Sequence, residues 1–296
     1  MVKVAVVQGG PGIPGDNMAT SKTLEILVRR AVDEHGAEFV QLPELATTPY
    51  FAGRDDIEYQ SMAESIDGPT VQFFRQLAAE LRIHIVLPFF ERDDEGLFNS
   101  ACLIDDAGEL IPGVTRDGRE VLTFRKIHLP ASYDELTGEI RSDEKRCFLP
   151  GQETPIFTTR FGKVGILICW DKRFTELWRT YMLLGAEMIC NPICTWGAWR
   201  DDTYPAEVRV MALYNQAFVL GGSKSGEDPY HAGRLFTGGS HIASPNGLLL
   251  ATLGASIDGI VSAEIDLAEV AVARRTTPIL RDRRPEMYSE IVRTGD

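Results

Sequence analysis

The segment GILICWDKRFTEL, residues 165–177, decides how the middle of this chain folds. Its first half is aliphatic and predicts a buried strand that ends at Cys169. Its second half is charged and leads into apolar residues at the spacing of one helix face: Phe174, Leu177, Trp178 and Tyr181. The segment therefore predicts a strand, a tight turn that carries a thiol, and a helix.

The same alternation of strands and helices extends outward in both directions. KVAVVQ, residues 3–8, predicts a first strand, and the next helix is expected to begin at a Ser21 cap and to end at Gly36. Asn246-Gly247 predicts a late hairpin, while the polar stretch 111–144 is expected to be a long loop. Strands outnumber helices by nearly two to one, so we expect an α/β fold whose sheets are not purely parallel.

Composition narrows the possible functions. The chain has 296 residues, enough for one large domain or two small ones, and 44% of them are hydrophobic. Its formal charge of −13 disfavours nucleic acid and anionic membranes as partners. The sequence shows no secretory signal and no run of about 18 apolar residues, so we expect no membrane association and a small molecule as the partner.

The five cysteines, an odd number at irregular spacing, predict a reduced cytoplasmic protein. Cys190 and Cys194 are too far apart for the usual CxxC pair and are interpreted as core residues, so we expect no metal. Cys169 differs from them. The N-terminus of the following helix and the cations Lys172 and Arg173 are expected to favour its thiolate.

Two other polar residues bear on the chemistry of this thiol. Glu44 follows an apolar strand, where α/β folds place ligands, and a buried carboxylate can act as the base for a cysteine. A solvated loop glutamate is an equally good interpretation of Glu44 alone, and Lys126 alone is more typical of the surface. The glycine-rich GPGIPG, residues 10–15, is not expected to bind a dinucleotide, because Pro11 and Pro14 remove backbone donors.

Considered together, three motifs resemble those of the nitrilase superfamily of carbon–nitrogen hydrolases, in the family's order and spacing. They are LPEL with Glu44, FRKIHLP with Lys126 and GILICWDKRFTE with Cys169. NPICTW, GGSKSG and GGSHIASPNG resemble the family's later landmarks, and the likeness extends from position 2 to about position 267. It implies a four-layer α-β-β-α sandwich, a single domain over residues 1–296 with a tail from about position 274, and assembly as homodimers or homotetramers.

The resemblance also implies a mechanism that uses no metal and no organic cofactor. Cys169 is expected to attack an amide or carbamoyl carbon while Glu44 serves first as base and then as acid. Lys126 and the backbone N–H of Trp170 are expected to stabilise the oxyanion. Glu144, in DEKRCFLPG, corresponds to the family's second glutamate and is expected to orient Lys126 and the substrate nitrogen.

The residues after the nucleophile bear on the substrate. CWDKR resembles the CNDRR of the N-carbamoyl-D-amino-acid hydrolases, in which arginine binds the substrate carboxylate, so Lys172 and Arg173 are expected to bind one here. The alternative is that both cations only pair with Asp171 or Glu176.

Trp170 is more typical of N-carbamoylputrescine amidases and general amidases than of that branch. Thr195, in NPICTW, is assigned with Trp170 to the substrate site. We therefore expect an N-carbamoyl amino acid amidohydrolase that releases the amino acid, CO2 and ammonia. A carbamoylputrescine amidase, an aliphatic amidase or nitrilase, and a non-catalytic scaffold on the same fold are the alternatives.

Overall fold

The structure is a computed structural model that describes residues 1–133, 135–137, 140–197, 200–254 and 257–293. Two large sheets form its centre. In the described residues the strands are β1 Val2–Gln8, β2 Phe39–Gln41, β3 His84–Arg92, β4 Leu97–Ile104, β5 Gly113–Val114, β6 Glu120–Val121, β7 Thr123–Arg125, β8 Ala131–Tyr133, β9 Ile140–Asp143, β10 Ile156–Thr158, β11 Lys163–Ile166, β12 Met188–Ile193, β13 Phe218–Ser223, β14 His241–Ala243, β15 Leu249–Thr252 and β16 Gly259–Ile265.

The helices flank these sheets. They are α1 Asn17–His35, α2 Pro69–Leu81, α3 Glu144–Cys147, α4 Thr175–Leu183, α5 Arg200–Asn215, α6 Ala268–Thr276 and α7 Ile279–Asp282. Within the described ranges, no helix is both long enough and apolar enough to cross a bilayer.

The first sheet has the strand order β16-β1-β2-β3-β4-β7. Its three central strands run parallel, with Val4 beside Phe39 and Phe39 beside His84, and antiparallel strands flank them. Helices α1 and α2 cover one face of this sheet and bury an apolar stripe against it: Leu24, Leu27, Val28, Val71, Phe74 and Leu77. This is one α-β half of the molecule.

The second sheet has the strand order β15-β14-β13-β12-β11-β10-β5-β6. Strands β11, β12 and β13 are parallel, so the carboxyl ends of β11 and β12 lie at one edge of the sheet. Beyond β11, the Leu167 N–H donates to the Cys190 carbonyl at 2.9 Å and keeps the chain extended towards Cys169. Helices α4 and α5 bury their large side chains with this sheet: Trp178, Tyr181, Tyr204 and Val208.

The two sheets stack face to face around one apolar core. Val4 and Val6 of β1, Val86 of β3, and Ile166 of β11 belong to the same buried cluster. The approach is close at Gly222 of β13, where a Cβ atom would lie 2.8 Å from Val6 Cγ1, so only glycine fits there. The layers therefore follow the order helix, sheet, sheet, helix, which confirms the expected α-β-β-α sandwich.

The first helix begins earlier than the sequence indicates. Asp16 is its N-cap, and Asp16 Oδ1 accepts a hydrogen bond from the Ala19 N–H at 2.8 Å. Ser21 is instead inside the helix, where its hydroxyl donates to the Asn17 carbonyl. The predicted cap at Ser21 was therefore wrong by five residues, whereas the predicted end at Gly36 is confirmed by its left-handed φ of 66°.

Two further expectations differ from the structure. The stretch 111–144 is not one irregular loop, because β5 to β9 lie in it; positions 134, 138 and 139 are outside the described residues. Strands of two to four residues are too short for an alternating pattern to reveal them. The predicted tail from about position 274 begins inside α6, which continues to Thr276 before α7 and two 3-10 turns, Pro285–Met287 and Ser289–Val292.

Candidate active site

Three buried charged residues meet where strands from the first sheet end. Glu44 lies beyond β2, Lys126 directly follows β7, and Glu144 is the first residue of α3. Lys126 Nζ donates to Glu44 Oε1 at 2.8 Å and to Glu144 Oε1 at 2.9 Å, and it lies 2.7 Å from Glu144 Oε2. All three side chains are at most 1% exposed. Glu44, Glu144 and Lys126 are therefore buried charged groups and not solvated surface residues.

Neutral side chains hold these carboxylates in place. Asn99 Nδ2 donates to Glu44 Oε1 at 2.8 Å, and the Tyr50 hydroxyl donates to Glu144 Oε1 at 3.1 Å. The same hydroxyl lies 2.5 Å from Ser142 Oγ. Glu44 Oε2, by contrast, has no hydrogen-bond partner among the described residues although it is buried. A buried carboxylate oxygen in this state is suited to accept a proton.

Burial and mutual charge shift the pKa values of this array. Burial by itself would lower the pKa of Lys126, but Glu144 and Glu44 outweigh it and hold that pKa well above its usual value. Burial raises the pKa of the Glu144 carboxyl to about 7, against the opposing effect of Lys126. Lys126 is therefore a permanent cation at neutral pH, while Glu144 titrates near neutrality.

Cys169 lies at the start of a 3-10 turn, Cys169–Arg173, that leads into α4. Its φ of 48° is in the left-handed region, which is strained for a residue with a Cβ and typical of positions held for function. Cys169 is 9% exposed, and its Sγ donates to the Cys194 carbonyl at 3.7 Å. The turn therefore presents the thiol at the wall of a cavity.

The thiol is not the preformed thiolate that its position in the sequence suggests. Burial, followed by the charge of Glu44, raises the pKa of Cys169 to about 11. Lys126 and Lys172 lower the pKa and offset only part of this effect. Lys172 therefore favours the thiolate, as the sequence indicates, but desolvation outweighs it and the pKa of the thiol stays raised. A base must therefore remove the proton during attack.

Asp171 connects the cysteine turn to the segment that carries the lysine. Its carboxylate is buried and accepts from the Ile168 N–H at 3.3 Å, next to Cys169. It also accepts from the His128 N–H at 2.8 Å, and His128 Nδ1 lies 2.9 Å from the same Asp171 oxygen. One side chain thus fixes the nucleophile turn relative to the chain just after Lys126.

A cavity of about 500 Å³ opens onto Cys169 and Glu144. Trp170, Lys172 and Thr195, three of the substrate-site residues expected from the sequence, line it. Further residues in its wall were not singled out by the sequence: Tyr50, Arg141, Cys194, Trp196, Arg200 and Arg234. They come from separate loops, from β9 and from α5, and no local pattern marks them. The cavity is therefore basic, with one lysine and three arginines in its wall.

Arg173 does not lie in the lining of this cavity. Its side chain is 36% exposed, Nη2 lies 2.9 Å from Glu207 Oε1, and the guanidinium lies 5.8 Å from the centre of the Trp170 ring. The partner is on α5, so the expected alternatives Asp171 and Glu176 are not the carboxylate that holds Arg173. The structure separates the two cations of the DKR sequence, with Lys172 facing the cavity and Arg173 facing outward.

Metal ligands do not cluster in the part of the chain that the structure describes, where no group of three His, Cys, Asp or Glu side chains could hold an ion. Cys190 and Cys194 are both buried, and Cys194 also reaches the cavity wall. The charges of Glu44, Lys126, Lys172 and Glu144 all act on the pKa of the Cys169 thiol, and the arrangement is suited to acid–base and nucleophilic chemistry.

Comparison with known proteins agrees with the fold and with the family that the sequence resembles. The family model for carbon-nitrogen hydrolases matches residues 3–275. The chain is 33% identical to the citrullinase of Francisella tularensis subsp. tularensis over 99% of this chain and 98% of that protein. It is 30% identical to the N-carbamoylputrescine amidase of Solanum lycopersicum over 94% of this chain and 91% of that protein.

A solved structure shares the fold over nearly its whole length. The carbon-nitrogen hydrolase from Helicobacter pylori G27 matches with a TM-score of 0.85 at 25% identity, covering 99% of this chain and 98% of that one. The family match extends over more than nine-tenths of the sequence, and the expected nitrilase-like architecture is confirmed. The chain belongs to the carbon–nitrogen hydrolase family of the nitrilase superfamily.

Proposed function

We propose that this hydrolase acts on N-carbamoyl amino acids and releases the amino acid, CO2 and ammonia through a covalent intermediate on Cys169. One observation carries the proposal: the Cys169 thiol lines a cavity whose wall is basic, and Glu144 in the same wall is paired with the buried Lys126, which is itself paired with Glu44. The array supplies acid–base chemistry at a carbonyl carbon, and the cations supply a reason for the substrate to be an anion.

The first step is attack by the thiol. Because the pKa of Cys169 is about 11, the thiol is protonated at neutral pH and needs a base. Glu44 Oε2 is a buried carboxylate oxygen without a hydrogen-bond partner among the described residues, and it takes this proton. As the S–C bond forms, the electron pair of the C=O double bond moves onto oxygen, giving a tetrahedral oxyanion.

Lys126 stabilises that oxyanion. Its ammonium group has three N–H donors, of which two are directed at Glu44 and Glu144, so the third is available to the developing charge. The backbone N–H of Trp170, next to the nucleophile, is the second proposed donor. Because both groups are in place before the substrate binds, little reorganisation is needed in the transition state.

The second half of the reaction regenerates the thiol. Glu44 passes its proton to the terminal carbamoyl nitrogen, the C–N bond breaks, and ammonia leaves a thioester-like adduct on Cys169. Water, deprotonated by Glu44, then attacks the same carbon and breaks the C–S bond. The released N-carboxy amino acid decomposes to CO2 and the free amino acid, which balances the overall reaction with one water consumed.

The names of two relatives sharpen the choice of substrate. Citrulline, the substrate named for the Francisella relative, carries a carbamoyl group, a carboxylate and an ammonium group. N-carbamoylputrescine, named for the tomato relative, carries a carbamoyl group and a cation. A wall with Lys172, Arg141, Arg200 and Arg234 favours the anionic class and opposes a second cation. The presence of Trp170 in the same wall favours carbamoylputrescine or simple amides, which remain the alternative substrates.

Ammonia release across a matched substrate panel tests this proposal. The panel contains N-carbamoyl-α-amino acids of both configurations, citrulline, N-carbamoylputrescine, an aliphatic amide and a nitrile. We expect the highest kcat/KM for a substrate with a carboxylate and a rate near background for Cys169→Ala. Equal or better turnover of carbamoylputrescine or of the plain amide would remove the anionic assignment. Equal rates for wild type and Cys169→Ala on every substrate would favour a non-catalytic scaffold.

We also propose a homodimer or homotetramer in a reducing, cytoplasmic environment. All five cysteines are unpaired and buried, which supports a reducing compartment. Exposed apolar side chains on α5, namely Val210, Leu213 and Tyr214, support a surface that another subunit covers. Sedimentation velocity at two protein concentrations checks the assembly, and a monomer at both would contradict it.

A further inference from the structure

Glu207 on α5 is the carboxylate at the centre of a cluster of cations beside the cavity. Its Oε1 lies 2.9 Å from Arg173 Nη2 and 3.4 Å from Arg200 Nη1. Its Oε2 lies 3.8 Å from Lys172 Nζ. We call Lys172, Arg173, Arg200 and Glu207 the α5 cation cluster. One carboxylate in it is shared by three cations that approach from two segments of the chain.

The three cations do not face the same way. Lys172 and Arg200 line the cavity and are 4% and 8% exposed, whereas Arg173 lies outside the lining. Arg200 is the first residue of α5, and its backbone N–H donates to the Gly197 carbonyl at 2.9 Å, which sets the direction from which its side chain enters the wall. The cavity therefore meets two of the three charges.

The two inward cations lie close to the reacting group. Lys172 Nζ is 3.5 Å from the backbone carbonyl of Cys169, in the same turn as the nucleophile. A negative charge on Cys169 would raise the pKa of both Lys172 and Arg200. Both cations are therefore close enough to the thiol to interact with it electrostatically. A carboxylate bound by Lys172 and Arg200 would lie in the cavity that Cys169 also lines.

The binding chemistry of the two residues is complementary. A guanidinium has five N–H donors in a fixed plane, so it can contact two carboxylates at once, here Glu207 and a ligand. Lys172 Nζ lies 3.5 Å from the Cys169 carbonyl, 3.8 Å from Glu207 and 5.6 Å from the centre of the Tyr204 ring, which are all long contacts. Burial disfavours the charged forms of both side chains, and a bound carboxylate would relieve this cost.

We infer that Arg200, positioned by Glu207, holds the substrate carboxylate together with Lys172, and that Arg173 does not take part in substrate binding. The inference rests on the proposed function and adds to it the residues that select the anionic substrate. Arg200 is a specificity-determining residue. Glu207 is a positioning residue, because it acts on the substrate through Arg200.

The test uses two ligands that differ in one group, an N-carbamoyl-α-amino acid and the alkylurea of the same length that lacks the carboxylate. Their dissociation constants are measured by calorimetry on the Cys169→Ala protein, which binds without turnover. Arg200→Gln is expected to raise the dissociation constant of the acid by about 10- to 100-fold, as for a lost hydrogen bond to a charged group. The dissociation constant of the alkylurea is expected to change by less than about twofold. Arg173→Gln is the matched control, because it also removes one positive charge that contacts Glu207. It is expected to change neither dissociation constant by more than about twofold.

A double-mutant cycle separates positioning from general damage. Glu207→Gln alone is expected to weaken binding of the acid by about 3- to 10-fold. This effect is expected to vanish in the Arg200→Gln background. An effect that persists there would overturn the role of Glu207. Thermal unfolding of each variant identifies any that fail to fold, and Arg200→Lys then replaces Arg200→Gln, with an intermediate loss expected.

The outcomes distinguish this inference from the function on which it rests. Wild type that hydrolyses the alkylurea as well as the acid overturns the proposed function, and this assignment with it. Wild type that selects the acid, while Arg200→Gln retains full affinity for it, overturns only the role of Arg200. An Arg173→Gln loss equal to that of Arg200→Gln restores Arg173 as the carboxylate ligand.

Discussion

Two charged clusters adjoin the cavity and are built in opposite ways. In the acid–base wall, Lys126 is fully buried between Glu44 and Glu144 at distances of 2.7 to 2.9 Å, and Glu144 reaches the cavity. In the cation wall, Lys172 and Arg200 line the cavity and approach Glu207 only at 3.8 and 3.4 Å. The first wall is closely paired before any substrate arrives. The second approaches its shared carboxylate at longer range, and we expect it to gain from a bound anion.

The difference predicts which residues carry stability and which carry selectivity. A tightly paired buried array is costly to break, because each remaining charge is left without its counterpart. Removing a cation that makes only long contacts should cost the protein little unfolding free energy. It should, however, weaken the binding of the ligand that the cation contacts. Substitutions on the two walls should therefore separate folding from substrate choice.

Lys126→Met should give the largest effect. It leaves Glu44 and Glu144 buried without their cation, which should cost about 3–5 kcal/mol of unfolding free energy. It also removes an oxyanion donor, so we expect kcat to fall by a factor on the order of 10³. Denaturant unfolding and ammonia release measure the two effects. A stable and active Lys126→Met protein would remove the distinction between the walls.

Glu144 should set the acid limb of the pH–rate profile. Its pKa is raised to about 7, so the carboxyl gains a proton as the pH falls through that value. The neutral carboxyl no longer pairs with the Lys126 ammonium as a charged partner. We expect kcat/KM to decrease below about pH 7 and to be full above it. Glu144→Gln should lower kcat by about 100-fold and abolish this limb. Persistence of the same limb in the variant would assign it to another group.

Asp171 should matter less than either carboxylate because it touches no substrate. Its carboxylate ties the Cys169 turn to the chain after Lys126 through the Ile168 and His128 N–H groups. Asp171→Asn keeps the size and one acceptor, so we expect a loss of about 1–2 kcal/mol in stability and roughly tenfold in kcat. An unchanged kcat would show that the two walls hold their relative position without this link.

Lys172→Met should have the smallest effect on stability. Burial lowers the pKa of Lys172, and its described contacts are long, so replacement by an apolar side chain should change the unfolding free energy by less than about 1 kcal/mol. KM for an acidic substrate should nevertheless rise by about tenfold. The control is the alkylurea, whose KM should not move. A stability loss as large as that of Lys126→Met would contradict the comparison.

The acid–base wall could be predicted from the sequence because each of its residues belongs to a motif with neighbours that define it. Glu44, Lys126 and Cys169 follow strands, and their motifs occur in the order of the family. That order is what allowed the three residues to be assigned to one site. The cation wall could not be predicted in the same way. Lys172 and Arg173 are adjacent in the sequence, but a 3-10 turn directs one inward and the other outward, and Arg200 enters from a separate helix.

The fold shows the same limit. Long strands and the end of α1 at Gly36 carry clear local signals, and they were predicted. The start of α1 was missed because Asp16, rather than Ser21, supplies the capping oxygen. The two- to four-residue strands between positions 111 and 144 were missed because they are held by neighbouring strands and have no periodicity of their own. The raised pKa of Cys169 depends on burial, which no local motif encodes.

Rapid acid quench during turnover of an N-carbamoyl amino acid, followed by peptide mass spectrometry, tests the central claim most directly. Before water attacks, Cys169 should carry the substrate minus one ammonia, and Glu44→Gln should suppress formation of this adduct. Cys194, which shares the cavity wall, provides an internal control and should stay unmodified. An adduct on Cys194, or steady turnover with no adduct on Cys169, would contradict a mechanism in which the thiol of the turn after β11 is the nucleophile.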